Sequence, residues 1–253
     1  MKEYGTKTFG ELNAERYDAM FEGSMESETR DSVKTLAELA DGGKVLELAI
    51  GTGRVALQLA ALGLNVHGIE ASDAMVAKLR EKPGGSAIPV EIGDMAEVRL
   101  NDTFDLIYLV FNTIFNLTTQ EAQVQCFHNA ARHLNTDGLF VVETVVPDLS
   151  GFTDGQRMKG SWARMDSARF EIAIHDPVLQ TVEFQRIVIS EVGTRMVPHF
   201  MRYAWPSELD LMAQLAGLER RERWAWWDRT PFTADSKSHV TVYAPVGQHS
   251  SKK

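Results

Sequence analysis

The sequence predicts an α/β fold in which a mostly parallel, doubly wound sheet carries helices on both faces. Three observations support this prediction. Apolar runs and helical patterns alternate five times between residues 44 and 146, which is typical of parallel strands joined by crossover helices. The first apolar run leads directly into Gly51 and Gly53. Between residues 148 and 205 the apolar spacing changes to two, which indicates additional antiparallel strands.

The segment Lys44–Ala56 predicts a buried strand, a glycine loop and the start of a helix. Its short apolar run is typical of a parallel strand, and glycines in the loop allow the backbone to approach a ligand closely. The free N–H groups at the start of the helix favour an electronegative group. The loop alone is a weak signal, because Gly51, Gly53 and Ala56 also fit a loose dinucleotide-binding pattern.

Acidic residues stand on or after the first three predicted strands. Glu47 lies on the first strand, Glu70 ends the second apolar run, and Asp94 follows the third run, which spans residues 87–92. A carboxylate at Glu70 can accept both hydroxyls of a ribose, and Asp94 with the amide of Met95 can read the edge of an adenine. A dinucleotide-binding loop has no standard use for Glu47, so the acids are more informative than the glycines.

With these residues the chain resembles the class I S-adenosylmethionine-dependent methyltransferases, over roughly residues 10–245. In that family an acid-x-Gly-x-Gly-x-Gly loop follows the first strand, an acid ends the second, and an aspartate follows the third. The resemblance implies a Rossmann-like seven-stranded sheet, S-adenosylmethionine as the cofactor, S-adenosylhomocysteine as its product, and no metal. Two positions depart from the pattern, since Ala49 replaces the usual first glycine and Arg54 the third.

The resemblance also implies roles for individual residues. Glu47 is expected to support the amino group of the methionine moiety, Glu70 to hold the ribose, and Asp94 to hold the adenine. Arg30 is a candidate for the methionine carboxylate. In chain order, the predicted cofactor-binding residues are Tyr17, Arg30, Glu47, Ala49, Gly51, Gly53, Glu70, Ala71, Met75, Asp94, Met95 and Val110. Packing in the core is the alternative for Met75.

A second group of residues is predicted to form the acceptor pocket. The fourth predicted strand, residues 104–111, ends at the carboxyl edge of the sheet, where open α/β sheets bind ligands. Tyr17 and Phe115 are predicted as catalytic residues, because aromatic ring faces attract a sulfonium cation. The predicted substrate-binding residues are Phe9, Phe111, Asn112, Phe115, Asn116, His175 and Tyr203. Core packing remains the alternative for Phe115, and a structural role for His175.

The pattern divides the chain into four predicted parts. Residues 1–42 form a helical lid, and residues 43–147 with 206–246 form the cofactor-binding core. Residues 148–205 form an inserted antiparallel sheet over the acceptor site, and residues 247–253 form a disordered tail.

Several local signals accompany this division. Thr118 and Glu121 have the spacing of a capping box, and residues 135–138 read as a turn before the fifth strand. The aromatic group Trp224, Trp226 and Trp227 fits two interpretations, dimer packing in a homo-oligomer or the core of a terminal hairpin.

The composition of the chain restricts which partners and which cellular compartment we expect. The 253 residues are 44% hydrophobic and 24% charged, as is usual for a globular protein. A formal charge of −9 opposes general affinity for nucleic acid or anionic membranes, because there is no general basic surface to replace phosphate counterions. Arg220, Arg221 and Arg223 form a local basic cluster, which we expect to be a solvated face. The single cysteine, Cys126, indicates a reducing compartment. No apolar stretch approaches the roughly 18 residues that span a bilayer, so we expect a cytoplasmic protein.

The predicted reaction is the in-line transfer of a methyl group to an amine nitrogen of a small molecule. The cofactor carries the activation, so the protein positions the acceptor and excludes water. No base constellation stands out, which favours nitrogen over an alcohol or phenol that needs a general base. Residues 111–117 and 202–208 resemble small-molecule N-methyltransferases of antibiotic biosynthesis, acting on amino sugars and lincosamide precursors.

Three alternatives stay open at this point. One is an O-methyltransferase of a small alcohol or phenol. Another is a nicotinamide-dependent oxidoreductase, although no tyrosine is followed by a lysine four residues later, and this function leaves Glu47 unexplained. The third is a nucleotide-binding regulator, which leaves the inserted sheet without a task.

Overall fold

The computed structural model describes residues 4–5, 7–21 and 26–247 of the chain. Its strands are β1 (Lys44–Leu48), β2 (Asn65–Glu70), β3 (Val90–Ile92), β4 (Phe104–Leu109), β5 (Leu134–Val145), β6 (Gln156–Ala163), β7 (Ser167–Asp176), β8 (Thr181–Ser190), β9 (Gly193–Arg202), β10 (Leu218–Trp224) and β11 (Ser238–Pro245). The main sheet has the order β3-β2-β1-β4-β5-β11-β10. Its first five strands are parallel, and β10 and β11 are antiparallel.

The helices pack on both faces of this sheet. They are α1 (Thr8–Asn13), α2 (Tyr17–Phe21), α3 (Glu26–Ala40), α4 (Ala56–Ala61), α5 (Asp73–Arg80), α6 (Gln120–His133) and α7 (Pro206–Leu215). Alternate residues of β1 and β4 belong to different apolar clusters, one shared with α6 and α7 and the other with α3 and α4, because successive strand side chains point to opposite faces. The predicted α/β fold with a mostly parallel seven-stranded sheet is therefore confirmed.

A second sheet, in the order β6-β7-β8-β9, is antiparallel throughout. The predicted change of period is confirmed, and the turn at Asp176-Pro177 joins β7 to β8. The sequence does not predict β6. The inner face of this sheet carries Ala173 and Phe184, which are buried, whereas Ile172 and Ile174 are exposed on the outer face.

Three local predictions are wrong by a few residues. The N-cap of α6 is Thr119, whose Oγ1 accepts from the N–H of Ala122 at 3.1 Å, so the capping box at Thr118 and Glu121 does not form. The turn predicted at residues 135–138 lies inside β5, where the register with β4 shifts. The third strand begins at Val90, after a short 3-10 turn at Gly85–Ala87.

The carboxyl-terminal hairpin contains both the tryptophan group and the basic cluster noted in the sequence. Trp224 and Trp227 are buried in the cluster that includes Val240, as the hairpin-core interpretation expects. Arg220 and Arg223 of the basic cluster both form ion pairs with Asp210. Residues 248–253 of the predicted disordered tail lie outside the described residues. Across the described residues, no helix combines the length and apolar composition needed to cross a membrane.

Candidate active site

The loop after β1 is held by left-handed backbone at three positions. Ala49, Gly51 and Gly53 have φ angles of 56°, 57° and 78°. An alanine pays roughly 1–2 kcal/mol for this conformation, so Ala49 is accommodated at a cost that glycine avoids. A Cβ at Gly53 would lie 2.4 Å from Leu79 Cδ1. Gly53 therefore allows the loop to pack against α5.

Glu70 ties the end of β2 to this loop. Its Oε2 accepts from the N–H of Gly51 at 2.8 Å, and its Oε1 accepts from the N–H of Ser72 at 2.9 Å. Burial raises the pKa of Glu70, and these N–H groups oppose the rise. Each carboxylate oxygen keeps a second acceptor site. Glu70 can therefore receive ligand hydroxyls without releasing the loop.

A cleft with about 650 Å³ of empty space opens above Glu70. The side chains and backbone that line it come from the lid, the loop, and the ends of β2, β3 and β4. The lining residues are Phe9, Gly10, Tyr17, Ala49, Gly51, Ile69, Glu70, Ala71, Met75, Gly93, Asp94, Met95, Thr113, Asn116 and Leu117. Asp94 Oδ1 accepts from the N–H of Ala96 at 2.9 Å. The structure thus brings most of the predicted cofactor residues to one cleft.

A narrower cleft continues from the loop toward β4. It is lined by Tyr17, Glu47, Leu48, Ala49, Ile50, Gly51, Thr52, Arg54, Val55, Val110, Phe111 and Thr113. Glu47 is buried, and its Oε2 accepts from the Tyr108 hydroxyl at 2.8 Å. Burial raises the pKa of Glu47 to about 8, against the opposing effects of the Tyr108 hydrogen bond and the charge of Arg54.

Arg54 is a site residue that the sequence marks only as a departure from glycine. Its guanidinium lies 3.7 Å from the centroid of the Phe111 ring and 5.8 Å from that of Tyr17. Its Nη2 lies 3.5 Å from the Tyr17 hydroxyl. The only feature of the sequence that could have indicated a role for Arg54 is its position as a cation between the acids Glu47 and Glu70. The second cleft therefore holds a carboxyl group and a guanidinium together, as a zwitterionic amino acid moiety requires.

The lid is fastened to the loop and to α5 by polar contacts. Asp18 accepts from the Thr52 hydroxyl at 2.7 Å and pairs with Lys82 Nζ at 2.7 Å. Glu15 pairs with Lys78 at 3.0 Å. A Cβ at Gly10 would lie 2.5 Å from Ser72 Cβ, which shows how closely α1 approaches α5. These contacts hold the N-terminal segment, the predicted lid, at the edge of the first cleft.

The 3-10 turn after β4, Thr113–Asn116, connects this cleft to the inserted sheet. Asn116 lines the first cleft, and its Oδ1 lies 3.1 Å from His199 Nε2. Burial lowers the pKa of His199 to about 3, so its ring is neutral. The neighbouring Phe115 is buried and lines a separate cavity under the inserted sheet together with Tyr203. His175 Nε2 lies 3.0 Å from the Tyr203 hydroxyl.

Comparison with known proteins identifies the family. A methyltransferase domain matches residues 45–138. The structure of the CcbJ methyltransferase from Streptomyces caelestis matches with a TM-score of 0.88 and 38% identity, covering 96% of this chain and 99% of that chain. The chain belongs to the class I S-adenosylmethionine-dependent methyltransferases.

Two further proteins are similar to this methyltransferase. Cypemycin N-terminal methyltransferase from a Streptomyces species is 27% identical over 211 residues, 80% of this chain and 83% of that protein. DesVI from Streptomyces venezuelae shares the fold with a TM-score of 0.68 and 20% identity, covering 92% of this chain and 98% of that chain. The cofactor of the methyltransferase is S-adenosylmethionine.

Some predicted residues of the methyltransferase lie away from both clefts. Arg30 is exposed on α3. Asn112 has a left-handed φ of 62°, and its Oδ1 accepts from the N–H of Val145, which fixes the turn after β4. Glu143 on β5 accepts from the N–H of Phe111 at 3.0 Å, a contact that the sequence signals only as an acid within an apolar strand. His175 lines neither cleft. The ligand roles of all the predicted site residues stay predictions.

Metal ligands were not predicted. In the part of the chain that the structure describes, no three His, Cys, Asp or Glu side chains come together in a group that could hold a metal ion.

Proposed function

We propose that this methyltransferase transfers a methyl group to an amine nitrogen of a small molecule in secondary metabolism. The observation that carries the proposal is the cavity under the inserted sheet, because its lining residue Phe115 is next in the chain to Asn116, which lines the cofactor cleft. A net charge of −9 supports a small-molecule acceptor over nucleic acid. The similarity to cypemycin N-terminal methyltransferase supports nitrogen as the acceptor atom. We further propose a cytoplasmic location.

In this proposal the two clefts bind different parts of the cofactor. When bound, the cofactor supplies an activated methyl group on a sulfonium. Glu70 is suited to the ribose, and Asp94 with Met95 to the adenine. Glu47 is suited to the ammonium of the methionine moiety and Arg54 to its carboxylate, because both side chains line the narrower cleft. Arg54 replaces Arg30 in this proposal, since Arg30 is exposed on α3.

The acceptor amine must present a neutral lone pair to the methyl carbon. A free alkyl amine has a pKa of about 10, and a dry pocket favours its neutral form. When bound, the cofactor would supply the methyl carbon to this nitrogen, and its sulfur would keep the electron pair of the carbon–sulfur bond. The methylated ammonium then returns its proton to water. The work of the chain is to position the amine and to exclude water with the lid and the inserted sheet.

Oxygen remains a second candidate for the acceptor atom because of one observation. His175 Nε2 lies 3.0 Å from the Tyr203 hydroxyl at the edge of the acceptor cavity. An alcohol or phenol acceptor needs a general base, and this pair is the arrangement that could provide one. Methylation of phenols with loss of activity in His175→Gln would favour this candidate.

The first test is calorimetric titration of the protein with S-adenosylhomocysteine, with NADH and NADPH as controls. We expect micromolar binding of S-adenosylhomocysteine and none of the two nicotinamide cofactors. Incubation with radiolabelled S-adenosylmethionine and a panel of small amines, phenols, peptides and RNA then identifies the acceptor class. Label on phenols, peptides or RNA and on no small amine would contradict the proposal.

Tyr17→Phe is expected to slow turnover while leaving cofactor affinity within severalfold. The substitution keeps the ring next to Arg54 and removes only the hydroxyl, which lies 3.5 Å from Arg54 Nη2. Measurement of kcat beside the dissociation constant of S-adenosylhomocysteine separates the two effects. Loss of cofactor binding with unchanged kcat at saturation would make Tyr17 a binding residue alone.

A further inference from the structure

The cavity next to the cofactor cleft has an apolar floor. It contains about 1030 Å³ of empty space between the end of β5 and the inner face of the inserted sheet. Phe115, Val182, Phe184 and Met201 line it. The first three of these side chains are buried. This floor suits a hydrocarbon or ring portion of a ligand.

The rim of the same cavity is cationic. Arg157 and Lys159 on β6 and Lys237 before β11 all line it. Within the described residues, the ammonium groups of Lys159 and Lys237 form no ion pair or hydrogen bond. Asp148 is the acid in the lining. Its Oδ1 accepts hydrogen bonds from the hydroxyl and N–H of Ser150, which lower its pKa, and the charges of Lys237 and Arg157 lower it further. Three cations therefore face one cavity in a protein whose net charge is −9.

Arg157 adds a more specific observation. Its Nη2 donates to Glu171 Oε1 at 2.8 Å, and its guanidinium lies 4.6 Å from the centroid of the Phe152 ring. Its Nε is buried and has no hydrogen-bond partner among the described residues. A buried donor without an acceptor costs about 1–3 kcal/mol. An anionic acceptor atom at the rim would relieve this cost.

We propose that the methyl acceptor carries an anionic group, a carboxylate or a phosphate, separated from its amine by an apolar portion. Lys159, Lys237 and Arg157 Nε bind the anion, and the apolar floor holds the portion between the two ends. The amine then lies at the end of the cavity nearest Phe115, beside the cofactor cleft. This inference rests on the proposed amine methylation. The measurements that follow distinguish a failure of the anion site from a failure of amine methylation.

The test is calorimetric titration of the S-adenosylhomocysteine-loaded protein with octanoate, octyl phosphate, octanamide and octylamine. We expect octanoate or octyl phosphate to bind at least about tenfold more tightly than octanamide, and the better of the two identifies carboxylate or phosphate. The double variant Lys159→Met, Lys237→Met is expected to lose this preference. Lys34→Met, which removes an exposed lysine on α3, is the matched control and is expected to keep it.

Equal binding of octanamide and the anions would overturn the proposal, as would absence of anion binding or retention of the preference in the double variant. A second measurement compares methylation of ω-aminooctanoate and ω-aminooctanamide with radiolabelled cofactor. Selective binding of octanoate with no label on either amine supports the anion site and contradicts amine methylation. Equal labelling of both supports amine methylation and contradicts the anion site.

Discussion

Glu47→Gln is expected to stabilise the free protein at alkaline pH and to weaken cofactor binding. Burial raises the pKa of Glu47 from its ordinary value of 4.5 to about 8. A raised carboxyl pKa contributes stability that is present below pH 4.5 and is lost as the pH rises to about 8. Glutamine stays neutral, so the variant escapes this loss, which is at most about 5 kcal/mol. Thermal unfolding of both proteins across this pH range measures the difference.

The same substitution is expected to weaken cofactor binding, although it stabilises the free protein. If Glu47 binds the cofactor ammonium, as proposed, it must do so as a carboxylate, so binding below about pH 8 releases a proton. Affinity for S-adenosylhomocysteine is expected to rise with pH up to about 8 and then level off in the parent protein. In Glu47→Gln, affinity is expected to be lower by about tenfold to a hundredfold above pH 8, and its rise through this range is expected to be absent.

A matched control distinguishes this role from burial alone. Burial also raises the pKa of Glu143, to about 7, and Glu143 lines neither cleft. Glu143→Gln is therefore expected to stabilise the free protein without the loss of affinity, since glutamine can still accept from the N–H of Phe111. An unchanged pH profile of binding in Glu47→Gln would remove Glu47 from the ammonium site.

Arg54→Gln is expected to lower affinity for S-adenosylhomocysteine by roughly 30-fold to 1000-fold, because removing one partner of a buried charged pair costs about 2–4 kcal/mol. The guanidinium lies in the narrower cleft with Glu47 and Tyr17. Arg30→Gln changes an exposed side chain on α3 and is expected to leave affinity unchanged. Equilibrium titration of both variants measures the contrast.

Methylthioadenosine sharpens this experiment because it lacks the amino acid moiety. If Arg54 binds the methionine carboxylate, Arg54→Gln is expected to leave the affinity for methylthioadenosine unchanged. A parallel loss for both ligands would mean that Arg54 acts by supporting the cleft. Loss of binding in Arg30→Gln alone would restore the assignment made from the sequence.

Much of the main sheet is predictable because its information is local. Each strand of the alternating part is an apolar run, and each crossover carries a helical pattern. By contrast, β6 is polar and includes Lys159 and Gly160, so only its pairing with β7 makes it a strand. The spacing of two along β7 shows that the strand has two faces. It does not show that the face with Ala173 is the buried one.

The residues around the cofactor cleft likewise include some that the sequence predicts and some that it does not. Glu47, Glu70 and Asp94 follow from their places at the ends of strands, which the parallel topology brings to one edge. Arg54 does not, because its long side chain can turn in many directions. Its direction depends on Phe111, which is itself a left-handed residue of the turn that follows β4. Thr118 and Thr119 are chemically alike, and only the backbone decides which one caps α6.

The N-terminal segment that contains Phe9 and Asp18 lies between the cofactor cleft and the inserted sheet. Phe9 lies 5.0 Å, between ring centroids, from His199 on the inserted sheet and 6.3 Å from Tyr17 in the cofactor cleft. Asp18, on the same segment, is fastened to Thr52 and Lys82. One short stretch of chain thus contacts both the cofactor cleft and the inserted sheet. Displacement of this stretch would therefore break its contacts with both.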